Sequence, residues 1–222
     1  MPPFTTVLFD LDGTLLDTLD DLTASCNAAL EAYRLPLRGR EEVCRFVGHG
    51  IGRLIRQAAP KSATEAEMAG MLEVFKNHYA LHNGDKTRPY DGVPEMLEAL
   101  IRLDCKMAIV SNKNDENVKK LAGDFFGIKV AVGSQEGLPL KPAPDGVWKA
   151  MKALGANAKR TLYVGDSEVD LQTAQNAGLP CLAVTWGFRS REELQTAGAV
   201  HFVNHPAEIV DFIQQWKYST IQ

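Results

Sequence analysis

Cysteine is scarce in this chain, with four in 222 residues, at Cys26, Cys44, Cys105 and Cys181. They stand far apart among Ala, Val, Leu and Met, which suits small buried thiols and argues against disulfides or a zinc site. Long apolar runs are also missing; none approaches the roughly 18 residues needed to cross a bilayer. No basic start or small-residue cleavage site accompanies the first apolar segment, so nothing there reads as a signal peptide. Nor is there a large excess of charge. A formal −4 excludes broad attraction to nucleic acid or to an anionic membrane. These absences predict a cytoplasmic protein with neither a nucleic-acid nor a membrane partner, in which local cations hold any anionic substrate.

What is present is a composition ordinary for a folded domain, 45% hydrophobic and 23% charged. The length suggests one main domain with a smaller insertion. Thr6-Val7-Leu8-Phe9-Asp10-Leu11 is rich in strand formers and stops at the turn pair Asp12-Gly13. From Asp17 to about Asn83 apolar residues recur three and four apart, as in Leu19, Leu22, Cys26, Ala29 and Leu30, and three or four helices fit there. Two of these flank Gly48-His49-Gly50, and the longest runs from about Thr64 to His82.

The segment Gly84 to Gly92 is dense in turn formers and reads as a return linker. Pro94 then suits the first turn of a helix through about Leu103. Strand-like runs at 106–111, 129–133, 161–165 and 181–185 alternate with helical stretches at 114–125, 145–154 and 168–177. Such alternation predicts an α/β fold: a Rossmann-like, mostly parallel sheet with helices on both faces. Residues 1–16 and 84–222 would form this core, and 17–83 a small all-α cap domain inserted into it.

Ligands of open parallel sheets bind beyond the carboxyl ends of the strands. There the sequence places Asp10 with Asp12, Ser111 with Asn112, and Asp166 with Ser167. Asp10 and Asp12 lie two apart at a strand end and therefore on one side. One such carboxylate can attack phosphorus while the other gives a proton to the leaving group and later takes one from water. Alone, the segment is equally a solvated Asp-Gly turn. Ser111-Asn112 can donate to phosphate oxygens or cap the next helix. Lys141, on a loop stiffened by Pro142 and Pro144, can neutralise phosphate and carboxylates or stand on the surface. Ser167 and Asp170 fit a capping box, which is compatible with hard oxygen ligands for magnesium at Asp166.

Taken in order, Asp10-Leu11-Asp12-Gly13-Thr14-Leu15, Val110-Ser111-Asn112, Lys141-Pro142 and Gly165-Asp166-Ser167-Glu168-Val169-Asp170 resemble the four motifs of the haloacid dehalogenase superfamily. The resemblance implies a magnesium-dependent phosphatase with an aspartyl-phosphate intermediate. Asp10 would be the nucleophile and a metal ligand, and Asp12 the general acid/base whose backbone carbonyl also meets the metal. Asp166 would complete the protein ligands with Asp170 in support, and Ser111, Asn112 and Lys141 would bind the phosphoryl group. Within the superfamily, Pro89-Tyr90-Asp91-Gly92-Val93, Lys141-Pro142-Ala143-Pro144 and Trp186-Gly187-Phe188 look like phosphoglycolate phosphatases.

The expected substrate is a small phosphorylated metabolite selected by the cap. Gly48, His49 and Arg53 are the candidates for that choice: the glycines for close approach, Arg53 for a substrate carboxylate. The same segment reads equally as an interhelical turn with both side chains in solvent. A cap joined by turn-rich linkers predicts a lid that opens and closes, and the molecule is expected to be a monomer or homodimer. The rival readings are a sugar-phosphate phosphomutase, a pyrophosphatase, and a non-enzymatic phospho-acceptor module.

Overall fold

The computed structural model describes residues 3–215. Strand β1 (Thr6–Phe9) is wholly buried, as its run of apolar residues requires. The chain then forms the two-residue strand β2 (Leu16–Asp17) and four helices: α1 (Leu19–Ala32), α2 (Arg40–Phe46), α3 (Ile51–Ala58) and α4 (Glu65–His82). At the start of α4 the Thr64 hydroxyl accepts from the Glu67 amide at 3.2 Å, and the Glu67 carboxylate accepts from the Thr64 amide at 2.7 Å. That reciprocal pairing satisfies donors a helix start otherwise leaves open.

The chain returns through β3 (Arg88–Pro89), α5 (Val93–Arg102), β4 (Lys106–Asn114), α6 (Asp115–Phe126) and β5 (Ala131–Ser134). There follow α7 (Asp145–Leu154), β6 (Thr161–Gly165), α8 (Glu168–Ala177), β7 (Cys181–Val184), α9 (Arg191–Thr196), β8 (Phe202–Val203) and α10 (Ala207–Gln215). The main sheet has the order β5-β4-β1-β6-β7-β8, and every pairing in it is parallel. One apolar cluster, including Phe4, Phe9, Ile109 and Val164, packs with α5, α6 and α10 on one face; a second, around Leu8, Tyr163, Val147 and Ala174, packs with α7 and α8 on the other. This is the α/β architecture expected.

The four helices enclose their own core, with Leu22, Cys26, Leu54, Met71 and Phe75 among its buried members. The chain leaves for them and comes back side by side, because β2 pairs antiparallel with β3, Leu16 opposite Pro89 and Asp17 opposite Arg88. Asp21, on the first turn of α1, ties the return segment down. Its carboxylate accepts from the Lys86 amide and from both the amide and hydroxyl of Thr87, at 2.8 to 3.1 Å. Among the described residues no helix is long and apolar enough to cross a membrane.

Two of the boundaries that differ from expectation bear on the site. Strand β4 continues past Ser111 to Asn114, with its pairing to β5 irregular between Val110 and Asn114, so Ser111 and Asn112 lie within the extended segment. Helix α6 begins only at Asp115, where the Asn114 side chain accepts from the amides of Glu116 and Asn117. Helix capping therefore falls to Asn114 and leaves Ser111 and Asn112 for other partners.

Candidate active site

Central strand β1 delivers Asp10 to the carboxyl edge of the sheet, flanked by β4 and β6, which deliver Ser111 and Asp166. Asp10 Oδ1 accepts from the Leu11 amide at 2.7 Å and lies 3.0 Å from Lys141 Nζ. Both contacts fall on one oxygen and fix the plane of the carboxylate. Asp12 Oδ1 accepts from the Thr18 hydroxyl at 2.7 Å and from Lys113 Nζ at 2.8 Å.

Asp166 is held from three sides. Oδ1 accepts from the Thr14 hydroxyl at 3.0 Å, and Oδ2 from the Phe188 amide at 2.8 Å. Gly13 and Gly187 press so closely on this side chain that a Cβ at either would collide with it, and Gly13 also has φ +84°. Only glycine allows that approach at Gly13. Trp186 Nε1 donates to the Thr14 carbonyl at 3.0 Å and locks the two loops together.

Beneath them, Asp170 is committed on both oxygens. Oδ2 accepts from the Ser167 amide and hydroxyl at 3.1 and 2.6 Å, and Oδ1 from Lys141 Nζ at 2.7 Å and Tyr163 Oη at 3.2 Å. The pairing of Ser167 with Asp170 anchors the start of α8, and Lys141 joins it to Asp10.

Asp10, Asp166 and Asp170 offer oxygens that all lie within 4.8 Å of one another. Three buried carboxylates around one ammonium are under strong electrostatic tension. Burial, then Asp170, raises the Asp10 carboxyl from its ordinary 3.8 to about 7, with Lys141 opposing and Asp12 adding to the rise. Burial, then Asp170 and Asp10, push Asp166 well above the carboxylate range, against the hydrogen bonds from Phe188 and Thr14. Burial would lower the Lys141 ammonium, yet Asp10 and Asp170 hold it well above its usual value. A divalent cation relieves this repulsion, and an all-oxygen donor set fits magnesium.

A cavity of about 300 Å³ opens between this edge and the four helices, lined on the sheet side by Asp10, Asp12, Ser111, Asn112, Lys113 and Asp166. Lys141 lies under Asp10 and does not line it. Lys113 does, and it was not among the residues expected at the site. Its ammonium sits between Asp12 and the ring of Tyr79, 4.5 Å from the ring centroid. A signal existed: Lys113 stands two residues after Ser111 in extended backbone, hence on the same side.

The Asn112 side chain is fully engaged within the protein. Its amide nitrogen donates to the carbonyls of Gly48 and Lys141, both at 3.0 Å, and its oxygen accepts from the Lys141 amide at 2.7 Å. The side chain therefore fixes the lysine loop and the helical unit. Of the three cap candidates, Gly48 lines the cavity, whereas His49 and Arg53 do not. His49 Nε2 lies 3.4 Å from Glu168, and Arg53 is exposed. The reason is helical phase: Arg53 lies on the solvated face of α3, opposite the face that buries Leu54, Ile55 and Ala58. Arg189 was also not foreseen. It donates to the carbonyls of Cys44 at 3.2 Å and Val47 at 2.9 Å and pairs with Glu168 at 3.0 Å, fastening the end of α2 to the core.

The model of the haloacid dehalogenase-like hydrolase family matches residues 7–184, which include every carboxylate of the site. The chain belongs to the haloacid dehalogenase-like hydrolase family. Among its relatives within this hydrolase family, a phosphoglycolate phosphatase from Mesorhizobium japonicum is 36% identical over 83% of this chain and 84% of its own. An N-acetylmuramic acid 6-phosphate phosphatase from Pseudomonas aeruginosa is 31% identical over 94% of both. The crystal structure of a Lactobacillus delbrueckii subsp. bulgaricus protein provisionally named phosphoglycolate phosphatase superposes with a TM-score of 0.91. It is 33% identical, covering 97% of this chain and all of that one.

Proposed function

We propose that this haloacid dehalogenase-like hydrolase is a magnesium-dependent phosphatase that cleaves small phosphate monoesters through an aspartyl-phosphate on Asp10. The observation that carries this reading is the gathering of Asp10, Asp12 and Asp166 at one sheet edge on the floor of the cavity, with Lys141 beneath Asp10. The names of the phosphatase relatives support it.

Asp10, the main-chain carbonyl of Asp12 and Asp166 would hold the cation, with Asp170 positioning Lys141. Bound there, magnesium would shield the negative charge of the phosphoryl oxygens. Asp10 is oriented by Leu11 and Lys141, and its free oxygen attacks phosphorus in line. As the ester bond breaks, Asp12 gives its proton to the leaving oxygen. Water then enters, loses a proton to the Asp12 carboxylate and attacks the same phosphorus. The bond to Asp10 breaks, and inorganic phosphate leaves. Thr18 and Lys113 hold Asp12 Oδ1 throughout. Ser111 and the Asn112 N–H would donate to phosphoryl oxygens in this reading.

Residues 17–83 serve in this reading as a cap that excludes water once substrate is bound, hinged where β2 and β3 lie together. Phosphoglycolate and N-acetylmuramic acid 6-phosphate, named for two relatives, are the first substrates to assay with magnesium, beside sugar phosphates, nucleotides and pyrophosphate. Phosphate release from a monoester that is lost in Asp10→Asn is the expected result. No release from any ester would remove the proposal, and transfer to a sugar in place of release would point to a phosphomutase.

A further inference from the structure

The cap side of the cavity is mostly apolar. Leu22, Val47, Ile51, Leu54, Phe75 and the Tyr79 ring face the carboxylate edge, from α1, the α2–α3 connection, α3 and α4. Its polar groups are Lys76, Asn77 and the Tyr79 hydroxyl, which has no hydrogen-bond partner among the described residues and can meet a neutral polar group of the substrate. Three cations line the cavity, and each already has a partner. Lys113 is bonded to Asp12 at 2.8 Å, Arg189 to Glu168 and two carbonyls, and Lys76 to Glu73 at 2.7 Å at the exposed mouth. Arg53, the cation expected to meet a substrate carboxylate, lies outside the cavity on the solvated side of α3.

The phosphoryl group occupies the carboxylate edge, so the alcohol of the ester must lie against this wall. A carboxylate placed there would lose its water and gain no free cation, which is costly. An apolar face would gain contact and release ordered water. The volume bears on size as well, since about 300 Å³ is at the lower end of the range for pockets that enclose whole small-molecule ligands. A short acid such as glycolate would leave much of the wall uncovered.

We infer that this site prefers phosphate monoesters of larger alcohols that present an uncharged, apolar face to the cap, over short carboxylated esters such as phosphoglycolate. The inference rests on the phosphatase reading of the same site.

The test compares benzyl phosphate, 2-hydroxyethyl phosphate and phosphoglycolate with magnesium, in the parent protein and in Ile51→Lys. All three release an alcohol, and Ile51 is only partly buried, so the variant is expected to fold; its circular dichroism and melting curve check this. The expected kcat/KM for benzyl phosphate exceeds that for phosphoglycolate by at least about tenfold, with 2-hydroxyethyl phosphate between them. In Ile51→Lys the ratio of phosphoglycolate to benzyl phosphate should rise by about tenfold, mainly through KM. Hydrolysis of all three with phosphoglycolate preferred in the parent overturns the inference and leaves the phosphatase reading intact. An unchanged ratio in a folded Ile51→Lys also overturns it. Hydrolysis of no ester removes the phosphatase reading itself.

Discussion

The Lys113 ammonium lies 2.8 Å from Asp12 Oδ1 and 4.5 Å from the centre of the Tyr79 ring, so a buried cation joins the proposed acid/base to the helical cap. Burial would lower the lysine, but Asp12, foremost among its partners, raises it, and it stays charged. Removing one partner of such a pair leaves the other uncompensated. Lys113→Met is therefore expected to lower stability by about 3 kcal/mol and kcat by roughly a hundredfold. Adding Asp12→Asn should cost less than the sum of the single changes, because the stranded charge is gone. Denaturant melts and steady-state kinetics on the four proteins measure this, and strict additivity would show that the two side chains act independently.

The Arg189 guanidinium reaches two carbonyls at the end of α2 as well as Glu168, a fork that an ammonium cannot reproduce. Arg189→Lys should speed amide hydrogen exchange across residues 44–50 while leaving strands β1 and β6 protected. Unchanged exchange in that segment would mean the cap is held by its apolar contacts and by Asn112 alone.

In the cation-free protein the raised Asp10 carboxyl gives a definite pH dependence. Between the unfolded value near 4 and the folded value of about 7, the folded state keeps a proton that the unfolded chain has released. This group's contribution to stability therefore falls as pH rises through that window. Magnesium has to displace the proton, so its binding strengthens in the same direction. Magnesium should raise the melting temperature clearly near pH 8 and only slightly near pH 5.5. Equal stabilisation at both would place the cation away from Asp10.

Asp166 tests the geometry of the glycines. Gly13 and Gly187 approach it so closely that Gly187→Ala must displace either the carboxylate or the loop. The variant should fold with reduced stability and need more magnesium for half-maximal activity. Reduced kcat with unchanged magnesium dependence would separate the loop from the cation.

Much of this was legible in the sequence because it rests on local signals. The apolar run that makes β1 ends at Asp10, the alternation of strands and helices fixes which residues meet at the sheet edge, and Ser167 with Asp170 shows its pairing by spacing. The strands β2 and β3 were not legible, since two residues carry no periodicity and their pairing joins positions far apart in the chain. Asn112 and Arg53 show the other limit. A residue type suggests a contact, but a side chain's direction follows from helix phase and from backbone groups brought near by folding. Lys113 lay between these cases, its side set by Ser111 and its partner by the packing of α4.

Asp10 is proposed to carry the phosphoryl group. Rapid mixing with a radiolabelled phosphate monoester and magnesium, followed by acid quench and peptide mapping, tests it most directly. Acid-stable, hydroxylamine-labile label is expected on the peptide containing Asp10, appearing before phosphate is released and absent from Asp10→Asn. Full hydrolytic activity in Asp10→Asn, or label on another residue, would contradict it.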